Sequence, residues 1–204
     1  MDSRRLGRRF FARPAREVAP ALLGKVLVRS GGTGRRLAAR IVETEAYEED
    51  DPASHSFGGR TTRNAVMFGP PGRLYVYFTY GMHFCMNVVT GRDGEGSAVL
   101  LRAAEPLEGT DPMARRRGTI DPLLLCSGPA RLCQALGVDR GANGADLVEG
   151  DEFWIERGRR IERAHVVAGP RVGIRAGTDR RWRFVVVGDR FASRISPRPN
   201  APRP

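Results

Sequence analysis

The sequence predicts a mixed α/β fold, a single domain built round a curved, largely antiparallel β-sheet with flanking helices and a protruding β-hairpin. Three observations carry this. Apolar segments of strand length recur along most of the chain, bounded by turn residues. Only one stretch carries a fully marked helix. Residues 74–80, Leu-Tyr-Val-Tyr-Phe-Thr-Tyr, run into Gly81-Met82-His83 and return through Phe84-Cys85-Met86-Asn87-Val88-Val89, which reads as an aromatic hairpin. The length of 204 residues suits one domain with a proper core.

From the N-terminus, residues 1–9 are basic and expected to be flexible, the domain spans 10–195, and the Pro-rich tail 196–204 is expected to be disordered. A weaker helix covers 16–23. Strands are expected over residues 25–29, 36–47, 74–80, 84–89, 99–103, 153–156, 164–168, 172–175 and 183–187. The marked helix has Ser127 as its cap, Pro129 in its first turn, Leu132 and Leu136 on one face and Gly137 at its end. Residues 111–117 read as helix or loop, and their Arg115-Arg116-Arg117 triplet suits a phosphate or a solvated face.

Residues 36–47 alternate. Leu37, Ala39, Ile41, Glu43, Glu45 and Tyr47 share one side by the period of two, so two carboxylates continue a face that starts apolar. A buried carboxylate is costly without a partner, and such groups cluster where chemistry happens. The plain alternative is a sheet edge turning to solvent, and pattern alone does not choose between Glu43 and Glu45. Arg102 ends the apolar run Val99-Leu100-Leu101-Arg102-Ala103, where an arginine needs a carboxylate unless it reaches solvent. Glu43 and Glu45 are both candidates.

The hairpin is read by parity. A three-residue loop Gly81-Met82-His83 pairs Tyr80 with Phe84, Phe78 with Met86 and Val76 with Val88, giving one wholly apolar face. Tyr75, Tyr77, Thr79, Cys85, Asn87 and Val89 share the other, with Tyr77 across from Asn87. Tyr75 and Phe78 are expected to pack in the core. Residues 55–64, His-Ser-Phe-Gly-Gly-Arg-Thr-Thr-Arg-Asn, read as an ordered loop whose amides and arginines suit phosphates.

A formal charge of +11 and a bulky apolar hairpin tip together favour a polyanion with stackable bases. No apolar run is long enough to cross a bilayer and no apolar leader opens the chain, so no membrane partner is expected. Three cysteines, Cys85, Cys126 and Cys133, form no disulfide framework and fit a reducing cytoplasm. No metal site is expected, because the histidines are dispersed and the acidic run 48–51 reads as a solvated loop. Lys25, the only lysine, sits at the start of a strand, which disfavours Schiff-base chemistry.

The ordered set Glu43-Thr-Glu-Ala-Tyr47, His55-Ser56, residues 74–82, Phe84-Cys-Met-Asn87, Val99-Leu-Leu-Arg-Ala103, Glu105-Pro-Leu-Glu-Gly109, Cys126-Ser-Gly-Pro129 and Arg171-Val-Gly173 resembles the alkyladenine (3-methyladenine) DNA glycosylase family. The resemblance runs from about Phe10 to Val187. It implies a fold like the C-terminal domain of formyltransferases and a monomeric, cofactor-free enzyme of the bacterial cytoplasm and nucleoid. The implied activity is excision of alkylated purines from double-stranded DNA by base flipping, with deaminated or etheno purines as a secondary expectation. By the same resemblance Glu45 is the general base, and Arg102 with the backbone near 172–174 helps to hold the attacking water. Tyr47 and His55 stack on one side of the flipped base and Tyr77 on the other, while Cys85, Leu100 and Val172 complete the pocket. Asn87 excludes the 2-amino group of normal guanine, and Tyr80 with Met82 fills the gap in the duplex. The rival reading is a non-catalytic nucleic-acid-binding protein with the same basic, aromatic surface.

Overall fold

The computed structural model describes residues 4–30 and 36–193. One antiparallel sheet organises them, with strand order β3 (Leu74–Thr79), β4 (His83–Val89), β5 (Ala98–Glu108), β2 (Arg36–Tyr47), β1 (Val26–Ser30) and β6 (Phe153–Glu156). β8 (Arg183–Val186) joins the far end of β2 and carries β7 (Val166–Gly169) with it. Helices α2 (Ala15–Leu22) and α5 (Pro129–Leu136) pack on the sheet and close the main core, which includes Val18, Leu22, Ile41, Met86, Leu101 and Leu132.

β2 has the expected limits, but it does not keep one face throughout. Its pairing with β5 shifts register between Ile41 and Glu43 and again between Glu43 and Thr44. A bulge adds a residue and turns the following side chains over. Leu37, Ala39 and Ile41 therefore enter the core, and beyond the bulge it is Ala46 that does so, while Thr44 Oγ1 donates to the Ala19 carbonyl of α2 at 2.9 Å. The expected continuation of the apolar face through Glu43, Glu45 and Tyr47 is thus overturned; the bulge hands the carboxylates to the opposite face.

The hairpin keeps its expected faces in a different register. Phe78 pairs with Phe84, Tyr77 with Cys85 and Tyr75 with Asn87, so Tyr77 does not lie opposite Asn87. The loop is Tyr80-Gly81-Met82, closed by Met82 N–H donating to the Thr79 carbonyl. Tyr80 at φ 52° and Gly81 at φ 70° are both left-handed, as a type I′ turn requires. The expected and observed registers preserve the same parity, so hydrophobic pattern could not separate them. Phe78 is 39% exposed and packs on Phe84 rather than in the core, whereas Tyr75 is buried as expected.

Other elements also differ. Residues 172–175 form bends instead of a strand, since Gly173 is left-handed and the Val172 N–H is taken by a side chain. Gly128, not Ser127, occupies the N-cap of α5, and Ser127 Oγ accepts from Arg131 instead. Residues 110–117 are helical, α3 (Thr110–Arg117), and two short helices, α1 (Arg8–Phe11) and α4 (Pro122–Leu125), were not anticipated. Residues 4–9, set apart from the domain by the sequence reading, pack on it. Leu6 is buried with its N–H on the Ile155 carbonyl, and Arg8 bonds Asp146 and the Pro71 carbonyl. The expected Pro-rich tail 196–204 lies outside the described residues.

Candidate active site

Three strand pairings bring distant residues into one row across the sheet. Glu45 lies opposite Leu100, Leu100 opposite Asn87, and Asn87 opposite Tyr75. Directly paired residues project from the same face, so the bulge in β2 is what places Glu45 over this row. Above it opens a cavity of ≈ 360 Å³. Its walls include nine of the expected site residues: Tyr47, His55, Tyr77, Tyr80, Cys85, Asn87, Leu100, Arg102 and Val172. Glu45 has no solvent exposure and sits behind that wall; Met82 stands outside it, 70% exposed at the hairpin tip beside Tyr80 at 83%.

Hydrogen bonding separates the two carboxylates that sequence left equivalent. Glu43 accepts four bonds: Arg102 Nε at 2.9 Å, Arg183 Nε at 2.7 Å and Ser193 Oγ at 2.8 Å converge on Oε1, and Ser193 N–H at 2.7 Å takes Oε2. Only one of its donor residues, Arg102, lines the cavity. Burial works to raise its pKa, but Arg102, Ser193 and Arg183 together hold it below the ordinary carboxylate range. Glu45 accepts three bonds, from Val172 N–H at 2.8 Å on Oε1 and from Tyr47 Oη at 2.8 Å and Arg102 Nη1 at 3.2 Å on Oε2. A carboxylate offers about four lone-pair sites, so one remains for a further donor. All three of its donors line the cavity. Two buried carboxylates against the guanidinium groups of Arg102 and Arg183 also balance in charge.

The phenols, thiol and imidazole of the wall are each shifted by their surroundings. Burial pushes the phenols of Tyr47 and Tyr77 upward, with Glu45 adding to the effect at Tyr47 and Cys85 at Tyr77. Burial likewise raises the Cys85 thiol, and burial followed by Arg63 lowers His55. His55 Nδ1 lies 3.0 Å from Tyr75 Oη. Its ring meets Tyr77 edge-on, with centroids 4.5 Å apart at 73°. A planar ligand sandwiched between two rings needs roughly twice the aromatic contact distance of about 3.5 Å, so none fits between these two. His55 therefore shares the Tyr77 side of the pocket, contrary to the expected grouping with Tyr47.

Sequence reasoning missed several wall residues. Tyr75 is in a core cluster as expected, but it also lines the cavity, its hydroxyl meeting His55, because a buried phenol needs a polar partner. Pro129 at the start of α5 and residues 175–176 also line the cavity, brought there by tertiary contacts alone. Lys25 does not line it. Its amine is lowered by burial and by Arg157 and Arg160, so location rather than basicity separates it from the site. Arg175 lines the cavity and Arg63 lies close enough to His55 and Tyr75 to act on them; both are exposed, as is Arg60 in the same loop as Arg63.

The model of the family described as methylpurine-DNA glycosylase matches residues 9–190. A protein of Rhodopseudomonas palustris named "putative 3-methyladenine DNA glycosylase" is 51% identical over 188 residues, 92% of this chain and 90% of the relative. Proteins bearing the same name from Burkholderia lata and Chlorobaculum parvum are 51% and 48% identical, covering 92% and 93% of this chain and 90% and 91% of their own lengths.

Proposed function

Because this chain belongs to the methylpurine-DNA glycosylase family, we propose that it hydrolyses the N-glycosidic bond of alkylated purines flipped out of duplex DNA. The observation that carries this reading is a fully buried carboxylate, Glu45, whose three hydrogen-bond donors are themselves walls of a base-sized cavity. Glu45 uses its remaining acceptor site to take a proton from a water as that water's oxygen bonds to C1′. The C1′–N bond breaks, and its electron pair leaves with the purine. Alkylation at N3 or N7 makes the base cationic, so it departs neutral and needs little acid catalysis. Arg102 and the Val172 amide hold the carboxylate oriented.

Flipping costs a few kcal/mol, and aromatic stacking returns about 1–3 kcal/mol per base. Tyr47 supplies one face of the sandwich and the His55–Tyr77 pair the other. Asn87, whose Nδ2 donates to the Tyr75 carbonyl at 3.2 Å, is held rigidly enough to reject the 2-amino group of guanine by exclusion. Tyr80 enters the gap in the duplex, Met82 wedges beside it, and Arg60, Arg63 and Arg175 meet phosphates. The enzyme acts as a monomer in the bacterial cytoplasm.

The test is a panel of duplexes carrying 3-methyladenine, 7-methylguanine, hypoxanthine, ethenoadenine or no lesion, with and without EDTA. Release of alkylated purine, unchanged by the chelator, is expected. Failure to release any purine would overturn the reading in favour of a binding protein, and strand cleavage lost in EDTA would favour a metal nuclease. A second outcome concerns the tip. A non-glycine residue held in the left-handed region costs of order 1–3 kcal/mol, and Asn tolerates that region. Tyr80→Asn should therefore raise the melting temperature by a few degrees while slowing excision. A calorimetric scan and a time course on one lesion duplex check both halves.

A further inference from the structure

The Arg171 side chain is fully buried, yet none of the chemistry above uses it. It forms a two-pronged ion pair with Asp51, Nη1 to Oδ2 and Nη2 to Oδ1. Nη1 also donates to the Ala46 carbonyl at 2.9 Å and Nη2 to the Gly177 carbonyl at 3.1 Å. The guanidinium lies 4.6 Å from the centroid of the Tyr47 ring. Four contacts thus tie together the end of β2, the loop that starts at Asp51 and leads to His55, and the segment 171–177.

Each of these three pieces supplies part of the cavity wall: Tyr47 from the first, Pro52, Ala53 and His55 from the second, and Val172 to Ala176 from the third. The third has no strand ladder to hold it. It is held close: a Cβ added at Gly177, which is left-handed at φ 58°, would stand 2.7 Å from Asp51 Oδ1 and 3.0 Å from Arg171 Nη2. The next residue after Arg171 donates its N–H to Glu45 Oε1, and the Tyr47 hydroxyl donates to Oε2. One guanidinium therefore fixes the two groups that grip opposite oxygens of the carboxylate. Arg171 Nε, buried without an acceptor among the described residues, is consistent with a side chain oriented by these contacts and not by satisfying every donor.

We propose that Arg171 is a positioning residue for the glycosylase reaction, setting the Tyr47 platform and the Val172 amide against Glu45 through its pair with Asp51. This rests on the function proposed above. Arg171→Lys keeps the charge but cannot reproduce the planar fork. Misplacement of about 1 Å by a group remote from the chemistry can cost roughly 100-fold. Single-turnover excision by Arg171→Lys should therefore fall by about 10- to 100-fold, while affinity for undamaged duplex stays near wild type.

Because an unpaired Asp51 can unfold the chain, the Arg171→Met/Asp51→Leu double variant removes both charges together. The same loss of rate is expected of it, with a cooperative melt retained. A folded double variant that excises at the wild-type rate overturns the positioning role. The failure of the function reading looks different: wild type itself then releases no base. Fluorescence of ethenoadenine in duplex DNA, followed without turnover in a Glu45→Gln background, gives an independent readout. Loss of the stacked-base signal on adding Arg171→Lys supports the role, and an unchanged signal counts against control of the Tyr47 platform.

Discussion

Glu45→Gln should abolish base excision while leaving binding to lesion-containing duplex intact. General base catalysis contributes typically about 10²- to 10⁴-fold, and in the proposed mechanism the same carboxylate also faces the positive charge that develops at C1′, so the loss should reach the upper part of that range. The replacement is nearly isosteric, but one of its terminal groups becomes a donor where the native oxygens only accept. An amide NH₂ must then face either the Val172 N–H or the Tyr47 hydroxyl and Arg102. Some stability is lost for that reason, so a thermal melt belongs beside the kinetics. The fold survives because Arg102 keeps its bond to Glu43. Single-turnover excision and fluorescence anisotropy on the same duplex separate chemistry from binding. Excision by the variant at the wild-type rate would remove Glu45 from the mechanism.

Arg102→Met should have the largest effect on stability. It leaves Glu43 and Glu45, both without solvent exposure, missing the cation that bridges them. Breaking a buried pair by removing one partner costs about 3–5 kcal/mol, a large share of the 5–15 kcal/mol typical of a domain. Arg102→Met combined with Glu43→Gln removes one charge of each sign and should recover much of the loss without recovering excision, because Glu45 still lacks its partner. Chemical denaturation of the three proteins reads this directly. The acid side follows from the same cluster. The folded pKa of Glu43 lies below its ordinary value of 4.5, so this stabilisation is present above that value and is lost as pH falls through the folded value. Glu43→Gln should flatten that part of the stability–pH curve; an unchanged acid limb would show that the Glu43 cluster does not set it.

Much of the site was legible before the fold was known, for identifiable reasons. The limits of β2 follow from its uninterrupted alternation, and the start and end of α5 from Pro129 and Gly137. The hairpin's two faces follow from parity alone. The resemblance then named nine residues that do line one cavity. What failed was the part of each reading that depends on a single inserted residue or a long-range bond. A bulge at Glu43 reverses the face of a strand without leaving a mark in the period of two. A tyrosine in the left-handed region moves a turn by one residue on each strand while preserving parity, so Tyr77 meets Cys85 instead of Asn87. Residues 172–175 looked like a strand because Val and Ile are strand formers, but their backbone is spent on Glu45 and bends at Gly173.

By itself the sequence determined that this chain would form an antiparallel sheet with an aromatic, basic face, and which residue types would gather there. Those properties are local: side-chain period, turn residues and charge are written along a few consecutive positions. Only the tertiary structure decided which carboxylate is available. Glu43 is held by Arg183 and Ser193, 140 and 150 residues away, while Glu45 is gripped from 127 residues away by Val172. Arg171, 120 residues from Asp51, was one letter of a motif with no role of its own until folding closed it between three walls. A hydrogen bond across such a separation has no periodicity to betray it, and its geometry exists only once the sheet has closed and the bulge in β2 has turned the acid toward the cavity.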